Sequence, residues 1–262
     1  MEVFSMKIGA YQFPVSGNIF DNYKIMEKAI KDASMQGVEL LVFPECALTG
    51  YPPRDIPDSN AVDFELVDKM LFNLGVVIAR EKVNVIVGTI YKEEEKIFNS
   101  AVLLTKDGNR YFYHKKALWG WDKDNFEIGN KDGVFEIDGW KIGIRICFEV
   151  RFPEFFRELY KENTDLNIII FYDSADDNNM MRYNTIEGHI KTRAIENVCY
   201  TLTSNTIKPY QTAPTALYDR SGRMLAGCER NKECMFIYDL EKKPLDFGEK
   251  GRKEISDILL GL

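Results

Sequence analysis

The chain has 262 residues, 45% of them hydrophobic, enough to bury one full-sized core. Its 34 basic residues against 41 acidic ones leave a net charge of −7, which argues against a surface built for nucleic acid or anionic membrane. Five cysteines, at 46, 147, 199, 228 and 234, form no C-x-x-C pair, and with only His114 and His189 beside them they support neither a zinc site nor a disulfide framework.

Taken in chain order, alternating apolar residues predict a strand over 6–12, a helix over 21–36 and a strand over 38–43. A helix over 61–82 and a strand over 83–91 follow, then a hairpin that pairs 98–105 with 109–114 across "KDGN". The stretch "GVFEIDGWKIGIRIC" reads as a second hairpin, turning at Asp138-Gly139. Its second arm sets Ile142, Ile144 and Ile146 on one face and Gly143 and Arg145 on the other, and it stops at Cys147. Pro153 at a first helical position opens a helix over 153–162. A strand over 166–171, a helix around 184–197, a strand over 199–204, a hairpin turning at "DRSGR" and a final strand over 234–239 complete the chain. Helices alternate with strands, yet hairpins recur, which favours an α/β protein with mixed sheets. No repeat or linker marks a boundary, so one domain over 1–262 is expected. The start, "MEVFSMKIGAYQF", lacks a signal-peptide layout, and no apolar run approaches the ~18 residues of a membrane span. The expectation is a cytoplasmic protein with reduced thiols.

Three stretches place a reactive side chain where an apolar strand ends. "VELLVFPECALTGY" puts Glu45 behind an apolar run and Pro44, where partial desolvation raises a carboxyl pKa and makes a proton acceptor. "RYFYHKKALWGW" ends a strand on two lysines, of which Lys115 shares a face with Tyr111 and Tyr113 while Lys116 takes the other. "IRICFEVRFPE" supplies the Cys147 thiol, with Glu149 and Arg151 close behind. Each has a plain structural reading: a cap, a solvated strand tip, a small buried hydrophobe. Together, beyond the carboxyl ends of strands, they form a coherent set for attack on a carbonyl carbon. No G-x-S-x-G, P-loop or G-x-G-x-x-G motif competes with them.

"FPECALTGY", "YHKKALWG", "GIRICFEVRFPE" and "RAIENVCYTLTSN" together resemble the nitrilase (carbon–nitrogen hydrolase) superfamily, in matching order and spacing and nearly end to end. The resemblance implies a four-layer α-β-β-α sandwich that pairs through its outer helices into a homodimer or higher homo-oligomer. It implies a catalytic Glu45, Lys115 and Cys147, an oxyanion site at the backbone N–H of Phe148, and no cofactor or metal. Three departures stand out. His114 and Ala117 replace the usual Arg and His, with an expected change in the pocket wall. Glu149 stands where Asp is usual, a conserved charge with a longer reach. Asp122 aligns with a second glutamate of the family, with Glu127 as a less well placed substitute. Tyr51, Trp119 and Trp121 flank these motifs as candidate aromatic walls or simply as packing. "FYDSADDNN" is similar to a substrate-lining loop, which makes Asp173 and Ser174 candidates for orienting an amide or amine; Asp173, Asp176 and Asp177 would favour a cationic substrate. Arg193, Glu196 and Asn197 read as a network holding their helix.

The implied activity is hydrolysis of a small linear amide or N-carbamoyl compound through a Cys147 thioester, with release of ammonia. A nitrile hydrolase and a stand-alone glutaminase fit the same scaffold, the latter because "GYPPRDI" is similar to glutaminase domains of NAD synthetases. A non-catalytic scaffold is the remaining alternative. The expected partner is a small-molecule amide or carbamoyl substrate, with no nucleic acid and no membrane.

Overall fold

The computed structural model describes residues 4–262. The chain opens with β1 (Ser5–Gln12) and α1 (Ile19–Met35), whose first free N–H groups are met by the Asn18 side chain. After β2 (Leu40–Val42) comes α2 (Phe64–Glu81), capped in the same way by Asp63, with Val67, Met70, Leu71, Leu74, Val77 and Ile78 on its buried stripe. Next are β3 (Asn84–Glu93), β4 (Lys96–Leu104), β5 (Arg110–His114) and the short α3 (Trp121–Asn125). β6 (Val134–Ile137) and β7 (Trp140–Ile146) lead through a 3-10 turn, Cys147–Arg151, into α4 (Pro153–Lys161). β8 (Leu166–Phe171), β9 (Ser174–Ala175), α5 (Met180–Glu196), β10 (Tyr200–Asn205), β11 (Tyr210–Gln211), β12 (Ala216–Tyr218), β13 (Met224–Gly227), β14 (Cys234–Glu241) and α6 (Phe247–Leu260) follow.

Two six-stranded sheets result, ordered β14-β1-β2-β3-β4-β5 and β13-β12-β10-β8-β7-β6. Each has a parallel trio at its centre, β1-β2-β3 and β7-β8-β10, with antiparallel strands outside it. The sheets pack face to face over Ile8, Leu40, Val42, Ile86 and Leu103 from one and Ile142, Ile144, Ile146, Ile168 and Leu202 from the other. α1 and α2 cover the outer face of the first sheet, through Met26, Ile30, Leu71 and Leu74 against Leu41, Val85 and Val87. α4 and α5 cover the second, through Phe156, Leu159, Ile186 and Ile190 against Ile169 and Phe171. The layers are therefore α-β-β-α, as expected.

Some elements differ from the sequence reading. β3 runs on to Glu93 and turns at Glu94, with φ of 54°, straight into β4, forming a hairpin of its own. α3 and α6 were not foreseen. The sequence reading gave the final strand, which follows the "DRSGR" hairpin, no partner. β14 crosses to the other sheet and pairs with β1, where apolar Met6, Ile8 and Ala10 need a neighbour.

Candidate active site

β5 is antiparallel to β4, and β4 to β3, so β5 points the same way as β2 and their carboxyl ends lie at one edge of the sheet. Glu45 follows β2 and Lys115 follows β5 at that edge. The second sheet meets it there: Glu45 N–H donates to the Phe171 carbonyl at 3.2 Å, and Tyr172 N–H donates to Glu45 Oε2 at 2.6 Å. One carboxylate thus stitches the ends of β2 and β8 together.

The elbow at Glu45 needs its neighbour to be small. Cys46 has a left-handed backbone, φ 50°, and a Cβ on Gly88 would stand 2.1 Å from the Pro44 carbonyl oxygen. Cys147 forms a second elbow, also left-handed at φ 46°, where β7 passes into the 3-10 turn. This conformation costs a non-glycine residue about 1–2 kcal/mol, so other contacts have to hold it. Glu149 does so. Fully buried, it accepts from Ile146 N–H at 2.7 Å through one oxygen, and from Tyr113 O–H at 2.8 Å and Lys116 N–H at 2.6 Å through the other. It ties the Cys147 elbow to the loop bearing Lys115. Arg193 Nε donates to the Val150 carbonyl at 3.0 Å and its Nη1 pairs with Glu196, while Asn197 Nδ2 donates to the Arg193 carbonyl at 2.8 Å, so the anticipated network anchors the turn from α5.

Lys115 is 2% exposed, and its Nζ lies 2.8 Å from Glu45 Oε1 and 2.7 Å from Asp122 Oδ2. Asn99 Nδ2 donates to Glu45 Oε1 at 2.7 Å, and Tyr51 O–H donates to Asp122 Oδ1 at 2.7 Å. α3 delivers Asp122 to this spot, so the shorter acid does reach the lysine. Glu127 does not: it is exposed and lines a separate groove with His114. His114 is no part of the cleft wall either, being buried against Ser100 at 2.8 Å and Glu93 at 3.1 Å. Lys116 turns away to Glu158, 3.0 Å distant.

Burial raises the Glu45 carboxyl above its ordinary value, with Asp122 adding to the rise and Lys115 opposing it. Burial alone would lower Lys115, but Glu45 and Asp122 outweigh it and hold the ammonium protonated. Burial, then the Glu45 charge, pushes the Cys147 thiol well up, so at rest it is neutral.

A cleft of about 380 Å³ opens above these groups, lined by Lys115, Asp122, Cys147, Phe148, Asp173 and Ser174 among others. Tyr51 and Tyr172 stack with centroids 5.0 Å apart and form its aromatic wall. Trp119 and Trp121 also line it but stand 67% and 50% exposed, as a rim and not a floor. The structure thus brings Glu45, Tyr51, Lys115, Trp119, Trp121, Asp122, Cys147, Phe148, Asp173 and Ser174 to one site, and leaves Glu127 and His114 outside it. The acidic loop does not make the cleft anionic, because Asp173 pairs with Arg182 at 2.8 Å and Asp176 with Arg54 at 2.5 Å. Asn99, Tyr172, Arg54 and Arg182 were missed. Asn99 carried a usable signal, a polar residue inside the apolar strand "KIFNSAVLL", since a fully buried amide needs partners. Among the described residues, no group of three or more His, Cys, Asp or Glu could hold a metal, and no helix is long and apolar enough to cross a membrane.

The chain is similar to known proteins in both sequence and fold. The family model for carbon-nitrogen hydrolases matches residues 7–244. A nitrilase of Pyrococcus abyssi is 32% identical over 198 residues, covering 71% of this chain and 69% of its own length. A 2-oxoglutaramate amidase of Bacillus subtilis is 26% identical over 203 residues, covering 76% of this chain and 75% of its own. In fold, an amidase of Nesterenkonia sp. superposes with a TM-score of 0.80 over 97% of this chain and 96% of that one, at 21% identity. With its two mixed sheets, its flanking helices and a family match across most of its length, the chain belongs to the carbon-nitrogen hydrolase family of enzymes.

Proposed function

We propose that the chain is an amidohydrolase that cleaves a small linear amide or N-carbamoyl compound through a thioester on Cys147. The observation that carries this reading is the Lys115 ammonium, bonded at 2.8 and 2.7 Å to two buried carboxylates beside a thiol that opens to the cleft. As a stabilising device the cluster makes little sense, since burying charges costs more than such pairing returns. As machinery it is coherent. Glu45, held less acidic than an ordinary carboxyl, takes the thiol proton as Cys147 sulfur bonds to the amide carbon. The resting thiol is neutral, so proton removal accompanies attack.

The negative charge that develops on the amide oxygen faces Lys115 and the Phe148 N–H. The latter is the second N–H of the 3-10 turn that starts at Cys147, and early N–H groups have no partner within such a turn. Glu45 returns its proton to the leaving nitrogen, the C–N bond breaks, and ammonia departs. A water then gives its proton to Glu45 as its oxygen attacks the thioester carbon; the C–S bond breaks, the acid departs, and Glu45 returns that proton to the Cys147 sulfur. Asp122, held by Tyr51, positions Lys115 and keeps it charged.

The test is ammonia release from ω-amides, N-carbamoyl amines, N-carbamoyl amino acids, glutamine and nitriles. Release from amides or carbamoyl compounds ahead of nitriles supports the reading. Release from nitriles alone, or from none while Cys147 alkylates no faster than the other four thiols, would sink it.

A further inference from the structure

Two of the free thiols meet each other away from the cleft. Cys234 opens β14 opposite Gln12 of β1. Alternation along β14 puts it on the side of Phe236 and Tyr238, which packs between the sheets, while Met235 and Ile237 face α1 and α2. Cys228 directly follows β13 in the other sheet. Its N–H donates to the Thr215 carbonyl at 2.9 Å, and its side chain packs against the same inter-sheet core. There the Cys228 thiol hydrogen-bonds to Cys234, and its sulfur accepts from Phe236 N–H. Both cysteines are half-buried, so a small solute can reach them.

The loop 229–233 that joins them clamps one wall of the cleft. Its Glu229 and Lys232 carbonyls accept from Gln12 Nε2 at 2.8 and 2.6 Å. Asn231 Oδ1 accepts from Gln211 N–H at 2.7 Å, Asn231 N–H donates to Gln211 Oε1 at 2.7 Å, and Arg230 Nε donates to the Gln211 carbonyl at 2.8 Å. Gln211 lies in β11, opposite Ser174 of β9, and the next N–H, of Thr212, donates to the Asp173 carbonyl at 3.0 Å. Ser174 and Asp173 line the cleft. A disulfide holds its sulfurs about 2.05 Å apart, inside any hydrogen-bond separation, so bonding Cys228 to Cys234 has to move this loop. We infer that Cys228 and Cys234 form a reversible disulfide site, and that closing it shifts the 229–233 loop and loosens substrate binding beside Ser174. Formation of the bond is independent of the amidohydrolase reading; its effect on substrate rests on that reading.

The co-reactant is a low-molecular-weight disulfide such as oxidised glutathione. Burial, then the hydrogen bond and charge of Cys234, holds the Cys228 thiol protonated, so Cys234 attacks first. Its sulfur bonds to one sulfur of the small disulfide, whose S–S bond breaks, and the other half leaves as a thiol carrying the Cys234 proton. The mixed disulfide removes the neighbour that opposed ionisation of Cys228. Cys228 then loses its proton, bonds to the Cys234 sulfur and expels the second half as a thiol. The protein gives up two hydrogens and the small disulfide takes them.

The test treats the protein with oxidised glutathione, blocks free thiols by alkylation and maps the peptides. Wild type should show Cys228 joined to Cys234, reversibly with dithiothreitol. Cys228→Ser should stop at a mixed disulfide on Cys234, and Cys234→Ser should leave Cys228 a free thiol. On the best amide found, the cross-link should raise KM about fivefold or more, the lower end of ordinary coupling between sites. Reduced single variants should match reduced wild type. Reaction at Cys147 instead removes active molecules and lowers kcat alone; Cys228→Ser combined with Cys234→Ser measures that loss. Both thiols staying open to alkylation, or a cross-linked protein with unchanged KM, overturns the inference and leaves the amidase reading intact. A protein that forms the cross-link yet hydrolyses no amide keeps the disulfide site and defeats the amidase reading.

Discussion

Lys115 is the residue on which the site turns, because its charge and its burial oppose each other. Burial favours loss of its proton; Glu45 and Asp122, each within 2.8 Å, prevent that. In return the lysine keeps Glu45 from rising further than burial and Asp122 would drive it. As a base, Glu45 has to be ionised, so the acid limb of kcat/KM should lie above the ordinary carboxyl value of 4.5. Glu45→Gln should lower kcat by ~10²–10⁴-fold and abolish that limb; a pH–rate profile checks both, and an acid limb surviving in the variant would remove Glu45 from the base's role. The residues legible in the sequence were those whose chemistry contradicts their surroundings, such as Glu45 after an apolar run or Cys147 at a strand's end. Asn99 was harder because its meaning lies in what it holds, the Glu45 carboxylate, which appears only once the chain is folded.

At the scale of elements, two elbows and one glycine position the chemistry. A methyl on Gly88 would meet the Pro44 carbonyl oxygen at 2.1 Å and Glu45 Cα at 2.6 Å, all backbone, which cannot swing aside. Gly88→Ala should therefore cost about 1–3 kcal/mol and reduce turnover by displacing Glu45. Gly75, inside α2 with nothing within 4 Å of a built Cβ, is the contrast: Gly75→Ala should stabilise by about 0.5–1 kcal/mol and leave turnover unchanged. Thermal melts of the two variants should move in opposite directions; a shared direction would refute the packing argument at Gly88. Most helices and strands were readable from periodicity because each buries one face. α6 was not, since Phe247, Ile255, Ile258 and Leu259 point to solvent and Gly248 and Gly251 interrupt it. Its start could have been read from Asp246 and Glu249, which form a capping box, and its end from Gly261. α3 is a single turn, too short for any period to show, yet it carries Asp122.

For the whole molecule, the sandwich was legible as a class while its connections were not. β14 pairs with β1 across more than two hundred residues of sequence, and no local pattern encodes that. The same burial that builds the core sets an alkaline limit. Burial pushes the Cys199 thiol up to about 12 from an ordinary 9.0, and Cys46 and Cys147 move in the same direction. A raised pKa in the folded state means stability that is whole below pH 9.0 and drains away as pH climbs towards 12. Each such thiol steepens the fall by at most about 1.4 kcal/mol per pH unit. Denaturant unfolding between these limits should show a shallower slope in Cys199→Ala than in wild type; identical slopes would mean that this thiol does not contribute.

The most direct test of the account is kcat for ammonia release by Cys147→Ala beside wild type, on the best amide found. The variant should lose at least ~10⁴-fold, because the covalent route disappears with the thiol. Turnover within about tenfold of wild type would mean that Cys147 is not the nucleophile and that the cluster around Lys115 serves some other chemistry.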